Sequence, residues 1–386
     1  GRHGAVFQAE IELETGRLRD VARPIWNGTG GVWPEGPHLY KIGGRYYLLI
    51  AEGGTSYQHA VTIARSDSPW GPFEPCPRNP ILTHAEQRQL PVQATGHADL
   101  VQDQEGAWWL VLLGIRPWDG AHHHLGRETF LAPVHWDAAG WPVVNQGRPI
   151  EPTLSVPALP GGAPRVALES YAASPVRDDF DAATLAPDWN FLRSPRPTTF
   201  ALGARPGWLR LRANAWTLDD EGPVAFVGRR QLHYACRVRS ALEFSPTAHG
   251  QRAGLVVRAD ENNHYDLMLT STPRGLELQL QSRVQGESST VARLEWSSPG
   301  VELMLETGAS HYEFFAGDGA GVRHALGRLP SQPLASEVTG GFTGAYFGMF
   351  VSGGADTPPA DFDYFEYTPL LTNAGLLTRA APEGSA

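Results

Sequence analysis

Glu35 is held between two prolines in the run Trp33-Pro34-Glu35-Gly36-Pro37-His38-Leu39-Tyr40. A carboxylate flanked by Trp33, Pro34 and Pro37 has little freedom and a partly apolar setting, which favours its neutral form and suits a general acid near neutral pH. The competing reading is a turn glutamate in solvent, and the octapeptide alone leaves that one ahead. Two other carboxylates sit near strand ends: Asp99 in Gly96-His97-Ala98-Asp99, read as a structural hydrogen-bonding residue, and Glu52 before Gly53-Gly54, a secondary candidate. His122-His123-His124 could suggest a metal, but consecutive side chains point to different sides and rarely ligate one ion. That stretch reads as a loop leading into Arg127, with His124 near the site.

The elements that must position these residues are strands. Hairpins are predicted at 39–50 about Gly43-Gly44, at 98–115 about Gln104-Glu105-Gly106, and at 129–144 about Ala139-Gly140. Regularly spaced hairpins without a long helical period suit the blades of a propeller. A stretch rich in Pro, Ala and Gly at 151–177 reads as a linker. From Trp208 to Tyr367 alternating segments such as Ala253-Gly254-Leu255-Val256-Val257-Arg258 suit a β-sandwich, and the end of the chain, 370–386, reads as a loose tail.

The chain's 386 residues, 41% hydrophobic and 19% charged, are enough for two cores. A net charge of −10 argues against a nucleic-acid partner, because no basic stripe offsets repulsion from phosphate. A neutral glycan is compatible, and the 12 tryptophans supply flat faces on which sugars stack. The two cysteines, Cys76 and Cys236, fall in different predicted domains, so neither a disulfide framework nor a zinc site is expected. A reducing, cytoplasmic setting is the mild inference, with secretion left open because the chain opens on Gly1-Arg2-His3. No run of 18 apolar residues would make a spanning helix.

The Glu35 run, its continuation through Gly43-Gly44-Arg45-Tyr46-Tyr47 and Ala51-Glu52-Gly53-Gly54-Thr55, then Gly96-His97-Ala98-Asp99 and Gly126-Arg127-Glu128-Thr129, resemble in this order glycoside hydrolase family 43. The family's members are inverting β-xylosidases and α-L-arabinofuranosidases. The resemblance implies a five-bladed propeller, of which 1–150 would hold about three blades, with Glu35 as general acid. It implies that Arg127 places a guanidinium against substrate hydroxyls, a task its planar fork of donors suits. His97 would lie under the sugar, although a lone histidine is more often a satisfied core residue, and Trp33 is expected to touch substrate. The catalytic base and the carboxylate that tunes the acid are aspartates of the early blades in this family. Only Asp20 precedes Glu35 here, and Leu18-Arg19-Asp20-Val21 matches neither motif. The base is therefore expected upstream of this chain, in a missing N-terminal segment, and the isolated chain is expected to be inactive and prone to associate through open sheet edges.

The second half, through Asp179-Phe180-Asp181, Trp189 to Arg193, Gly228-Arg229-Arg230-Gln231 and Asp361-Phe362-Asp363-Tyr364-Phe365, resembles the concanavalin A-like sandwich attached to family 43 xylosidases, over 178–369. Phe342 in Gly341-Phe342-Thr343-Gly344 is similar to a loop aromatic with which that domain closes the pocket, the rival reading being a core Phe of a late strand. Asp179 and Asp363 could share a structural calcium, against a salt-bridged or solvated pair; no cofactor is required. The fold expected is all-β, a partial five-bladed propeller followed by a concanavalin A-like β-sandwich. The activity expected is exo-acting, inverting release of xylose from non-reducing ends of β-1,4-xylooligosaccharides, by a homo-oligomer with no nucleic-acid or membrane partner. The alternatives are an α-L-arabinofuranosidase acting on arabinoxylan-derived substrate and a noncatalytic carbohydrate-binding protein.

Overall fold

A computed structural model describes residues 4–154, 175–319 and 321–370. Nearly every element is a strand, and the chain divides into two compact units, 1–120 with 127–164 and 121–126 with 165–386. Most of the stretch read as a linker, and the tail from 371 on, lie outside the described residues.

The first unit contains two antiparallel meanders. One runs Glu35–Ile42, Arg45–Glu52, Ala60–Ser66 and Glu74–Pro75, with Leu82–Thr83 beside the third strand; the other runs Gln93–Gln102, Trp108–Ile115, Glu128–Trp136 and Pro142–Val144. All three expected hairpins form, and the tightest turns at Gly43-Gly44, whose φ angles are 57° and 87°, where glycine alone is at ease. Where about three blades were expected, the described residues give these two sheets and two short ribbons, Val6–Gln8 with Arg23–Trp26 and Ile11–Glu12 with Arg17–Leu18. Leu49, Val61 and Ile63 of one meander pack with Ala98, Leu110, Leu112 and Ala132 of the next, the arrangement that stacks blades.

The second unit is a sandwich. Its first sheet orders Phe200–Ala201, Leu209–Leu211, Ala360–Pro369, Cys236–Glu243, Gly300–Thr307, His311–Gly317 and Arg323–Pro330, with Val176–Asp178 also on Ala360–Pro369. The facing sheet orders Phe226–Arg230, Tyr346–Ser352, Arg252–Asp260, Asn263–Thr272, Gly275–Val284 and Glu287–Trp296. Strict alternation along Cys236–Glu243 puts Val238 and Leu242 in the core with Leu255, Leu267, Leu303 and Phe314, while Arg237 and Arg239 pair outward with Glu306 and Glu302.

Two histidines of this unit carry opposite electrostatic signs. His264, buried on the outer side of the six-stranded sheet, lies between Asp266 (2.7 Å) and Asp219 (3.1 Å), and although burial opposes its charge, the two carboxylates raise it to about 9. His124 was expected near the reactive site. It folds with the sandwich unit, fully buried against Tyr234 (4.9 Å) and Tyr312 (5.7 Å), and burial pushes its pKa down to about 3. The segment that carries it, 121–126, is tied into this unit by His123 Nδ1 to Glu337 (2.7 Å) and by the Ala345 N–H donating to His124 O. Gly126 closes it at φ 72°, where a Cβ would fall 2.6 Å from the Thr343 backbone.

Candidate active site

Two irregular strands meet at the candidate site. On Glu35–Ile42, Glu35 faces Ala51 but His38 faces Leu49, so this strand carries one residue more than its partner, a bulge at Gly36-Pro37. Pro37 lacks the N–H that a regular ladder would use there. On Gln93–Gln102 the register slips twice, on either side of Gly96. Trp33, Ala94 and His97 all hold positive φ angles of 52°, 51° and 48°, and such strain outside glycine gathers where side chains are re-aimed for function.

The bulges bring His97 against Gly36, the residue that follows Glu35. A Cβ at Gly36 would lie 2.6 Å from His97 Cε1, so the imidazole rests on the glycine that follows the proposed acid. Beyond His97 stands a histidine that the sequence reading missed, His59, with ring centroids 6.4 Å apart. Burial, opposed by a hydrogen bond to the Ala94 carbonyl and reinforced by His97 and Arg127, pushes His59 down to about 4. The same coupling puts the Arg127 charge within electrostatic reach of the His59 ring. His59 precedes the buried strand Ala60–Ser66 as a lone histidine, a pattern that in sequence is indistinguishable from a core residue. Trp33 is 66% exposed and its ring lies on Gly54, where a Cβ would meet Cε3 at 2.5 Å. An open indole face next to Glu35 is a ready platform for a sugar ring.

The other carboxylates are engaged. Glu52 is buried and accepts hydrogen bonds from the Thr29 and Gly31 N–H groups and from the Thr29 and Thr62 hydroxyls, the last at 2.6 Å. It anchors the 28–31 loop, and Gly28 and Gly31 leave it room, so its role is structural rather than catalytic. Asp99 pairs with His38 Nδ1 at 2.9 Å. Glu128 forms a bidentate pair with Arg116 (2.7 and 2.8 Å), not with Arg127. Asp20 pairs with Arg23 at 2.9 Å and accepts the Glu10 N–H.

In the sandwich unit Phe342 is 51% exposed and precedes the Tyr346–Ser352 strand, which overturns the core reading of that residue. Asp179 is held by Arg177 through Nε and Nη2, both at 2.8 Å, as the salt-bridged alternative to calcium requires. Among the described residues no group of three or more His, Cys, Asp or Glu is placed to hold a metal.

Comparison with known proteins follows the same division. Residues 1–142 match the family described as glycosyl hydrolases family 43, and residues 177–368 match the beta xylosidase C-terminal concanavalin A-like domain. A non-reducing end alpha-L-arabinofuranosidase of Bacteroides ovatus is 41% identical over 95% of this chain and 68% of its own length. A xylosidase/arabinosidase of Butyrivibrio fibrisolvens is 32% identical over 94% of this chain and 70% of its own. The crystal structure of a xylan beta-1,4-xylosidase from Bacillus halodurans superimposes with a TM-score of 0.87 at 33% identity, covering 93% of this chain and 70% of that one.

Proposed function

This chain belongs to glycosyl hydrolases family 43, and from that premise we propose that it releases xylose from the non-reducing ends of β-1,4-xylooligosaccharides with inversion, Glu35 protonating the departing oxygen. The observation that supports the reading is the placement of Glu35 at a bulge whose next residue, Gly36, packs against His97. An inverting glycosidase needs a second carboxylate about 6.5–9.5 Å from the acid to activate water. Since Glu52, Asp99, Glu128 and Asp20 are each committed to other partners, the proposed base is an aspartate supplied by a further N-terminal propeller segment.

The test compares the 386-residue chain with an extended form, joined to a propeller segment that carries the family's two aspartates. Both are assayed on 4-nitrophenyl β-D-xylopyranoside and on 4-nitrophenyl α-L-arabinofuranoside. The extended form is expected to turn over the xyloside faster, and the 386 residues alone neither. Full activity of the short form would overturn the external base and return the search to Asp99, Glu52 and Glu128. Faster cleavage of the arabinoside would establish the second reading, which the 41% identical relative favours. Sugar binding without turnover in both forms would mean a carbohydrate-binding protein.

A further inference from the structure

His59 has no place in the acid and base chemistry, yet it is fully buried beside it. Its ring lies flat on Gly96, where a Cβ would fall 2.4 Å from Cδ2 and 2.5 Å from Cγ and Cε1, so glycine is needed for the ring to seat. Nδ1 lies 3.1 Å from the Ala94 carbonyl oxygen. A carbonyl only accepts, so in the neutral ring the proton is on Nδ1 and Nε2 carries a lone pair. Burial holds the ring neutral at ordinary pH, with its pKa pushed down to about 4. Nε2 itself is buried and has no hydrogen-bond partner among the described residues. A buried acceptor left unmatched is costly, and it is uncommon without a reason. The ring facing it is His97, 6.4 Å away between centroids and inclined at 70°, near enough for a side-chain rotation or one bridging water to join their nitrogens.

We propose that His59 is a positioning residue that sets the tautomer of His97: its Nε2 lone pair takes an N–H from the His97 ring, directly or through one water, which leaves the other His97 nitrogen as an acceptor for a sugar hydroxyl. A histidine whose one nitrogen is fixed by a partner presents a defined second nitrogen, as buried carbonyls and carboxylates do for metal-bound imidazoles. The strained backbone supports this geometry, because the positive φ angles at Ala94 and His97 flank the glycine on which His59 rests. The sugar-facing half of the proposal rests on the glycosidase reading; the tautomer itself does not.

Two substitutions separate this role from that of a structural anchor. Asn at 59 keeps an amide N–H where Nδ1 donates to Ala94 but offers nothing in the place of Nε2. Gln keeps an amide oxygen in the place of Nε2. The 386-residue chain labelled with ring-15N histidine is examined by long-range proton–nitrogen correlation at pH 7. In the parent, His97 is expected as one neutral tautomer, with the His59 proton on Nδ1. His59→Gln should preserve the His97 pattern, and in His59→Asn both His97 nitrogens should move toward their mean shift, the sign of mixed tautomers. An unchanged His97 in a folded Asn variant would overturn the proposal. Where neither variant folds, the parent spectrum decides, since a His97 that already averages its tautomers, or a His59 protonated on Nε2, is incompatible with it. Adding xylose tests the underlying reading separately, through movement of the sugar-facing His97 nitrogen.

Discussion

Replacing Glu35 by Gln in the extended form is expected to lower kcat/KM on xylobiose by roughly 10²–10⁴-fold, the span that general acid catalysis supplies. Gln keeps the size of the side chain between Pro34 and Pro37 but has no proton to give. The loss should be much smaller on an aryl xyloside with a good leaving group, because nitrophenolate departs with little protonation. The basic limb of the pH profile, which reports deprotonation of the acid, should disappear. Kinetics on both substrates across pH 5–9 check this, and equal losses on the two would remove Glu35 from the acid role.

The second large effect is on stability. His59, His84 and His124 are buried and their pKa values are lowered by burial, His59 to about 4 and His124 to about 3. In the unfolded chain they titrate near 6.5, so below that pH the unfolded state binds more protons than the folded one. Stability should therefore fall as pH drops below about 6.5 and continue to fall until pH passes the folded values. For a fall from 6.5 to about 3, as at His124, the loss is on the order of 5 kcal/mol. His264 has the opposite sign: raised to about 9, it stabilises fully below pH 6.5, and that contribution is lost as pH rises through 9. Urea unfolding at a series of pH values, followed unit by unit through amide exchange, measures both limbs. His124→Phe, which fits a ring beside Tyr234 and Tyr312 without a proton to bind, should flatten the acid limb of the sandwich only. A parent-like acid limb in that variant would contradict the assignment.

The hairpins, the alternation of the sandwich strands and the block around Glu35 were legible because each is a local pattern. Gly43-Gly44 announces its turn, and Cys236–Glu243 alternates with a period of two. His59 was not legible, since what distinguishes it is the approach of Gly96 and Ala94 from a strand more than thirty residues away. The same holds for Glu52, whose donors come from the Thr29–Gly31 loop, so that a carboxylate at a strand end proved to be a loop anchor. His124 folds with the second unit while its neighbour in sequence, Arg127, belongs to the first, a division that no local pattern announces. Trp33 and Glu35 remained together because the prolines restrict them locally.

The central claim is that Glu35 acts in a single displacement, with water attacking from the opposite face. Proton NMR of the sugar first formed from an aryl β-xyloside by the extended form tests it most directly, if spectra are taken before mutarotation sets in. The predicted result is α-xylose appearing first, with the β anomer growing later. Initial β-xylose would mean two displacements through a glycosyl-enzyme, carboxylates only about 5–5.5 Å apart, and a nucleophile in place of the distant base.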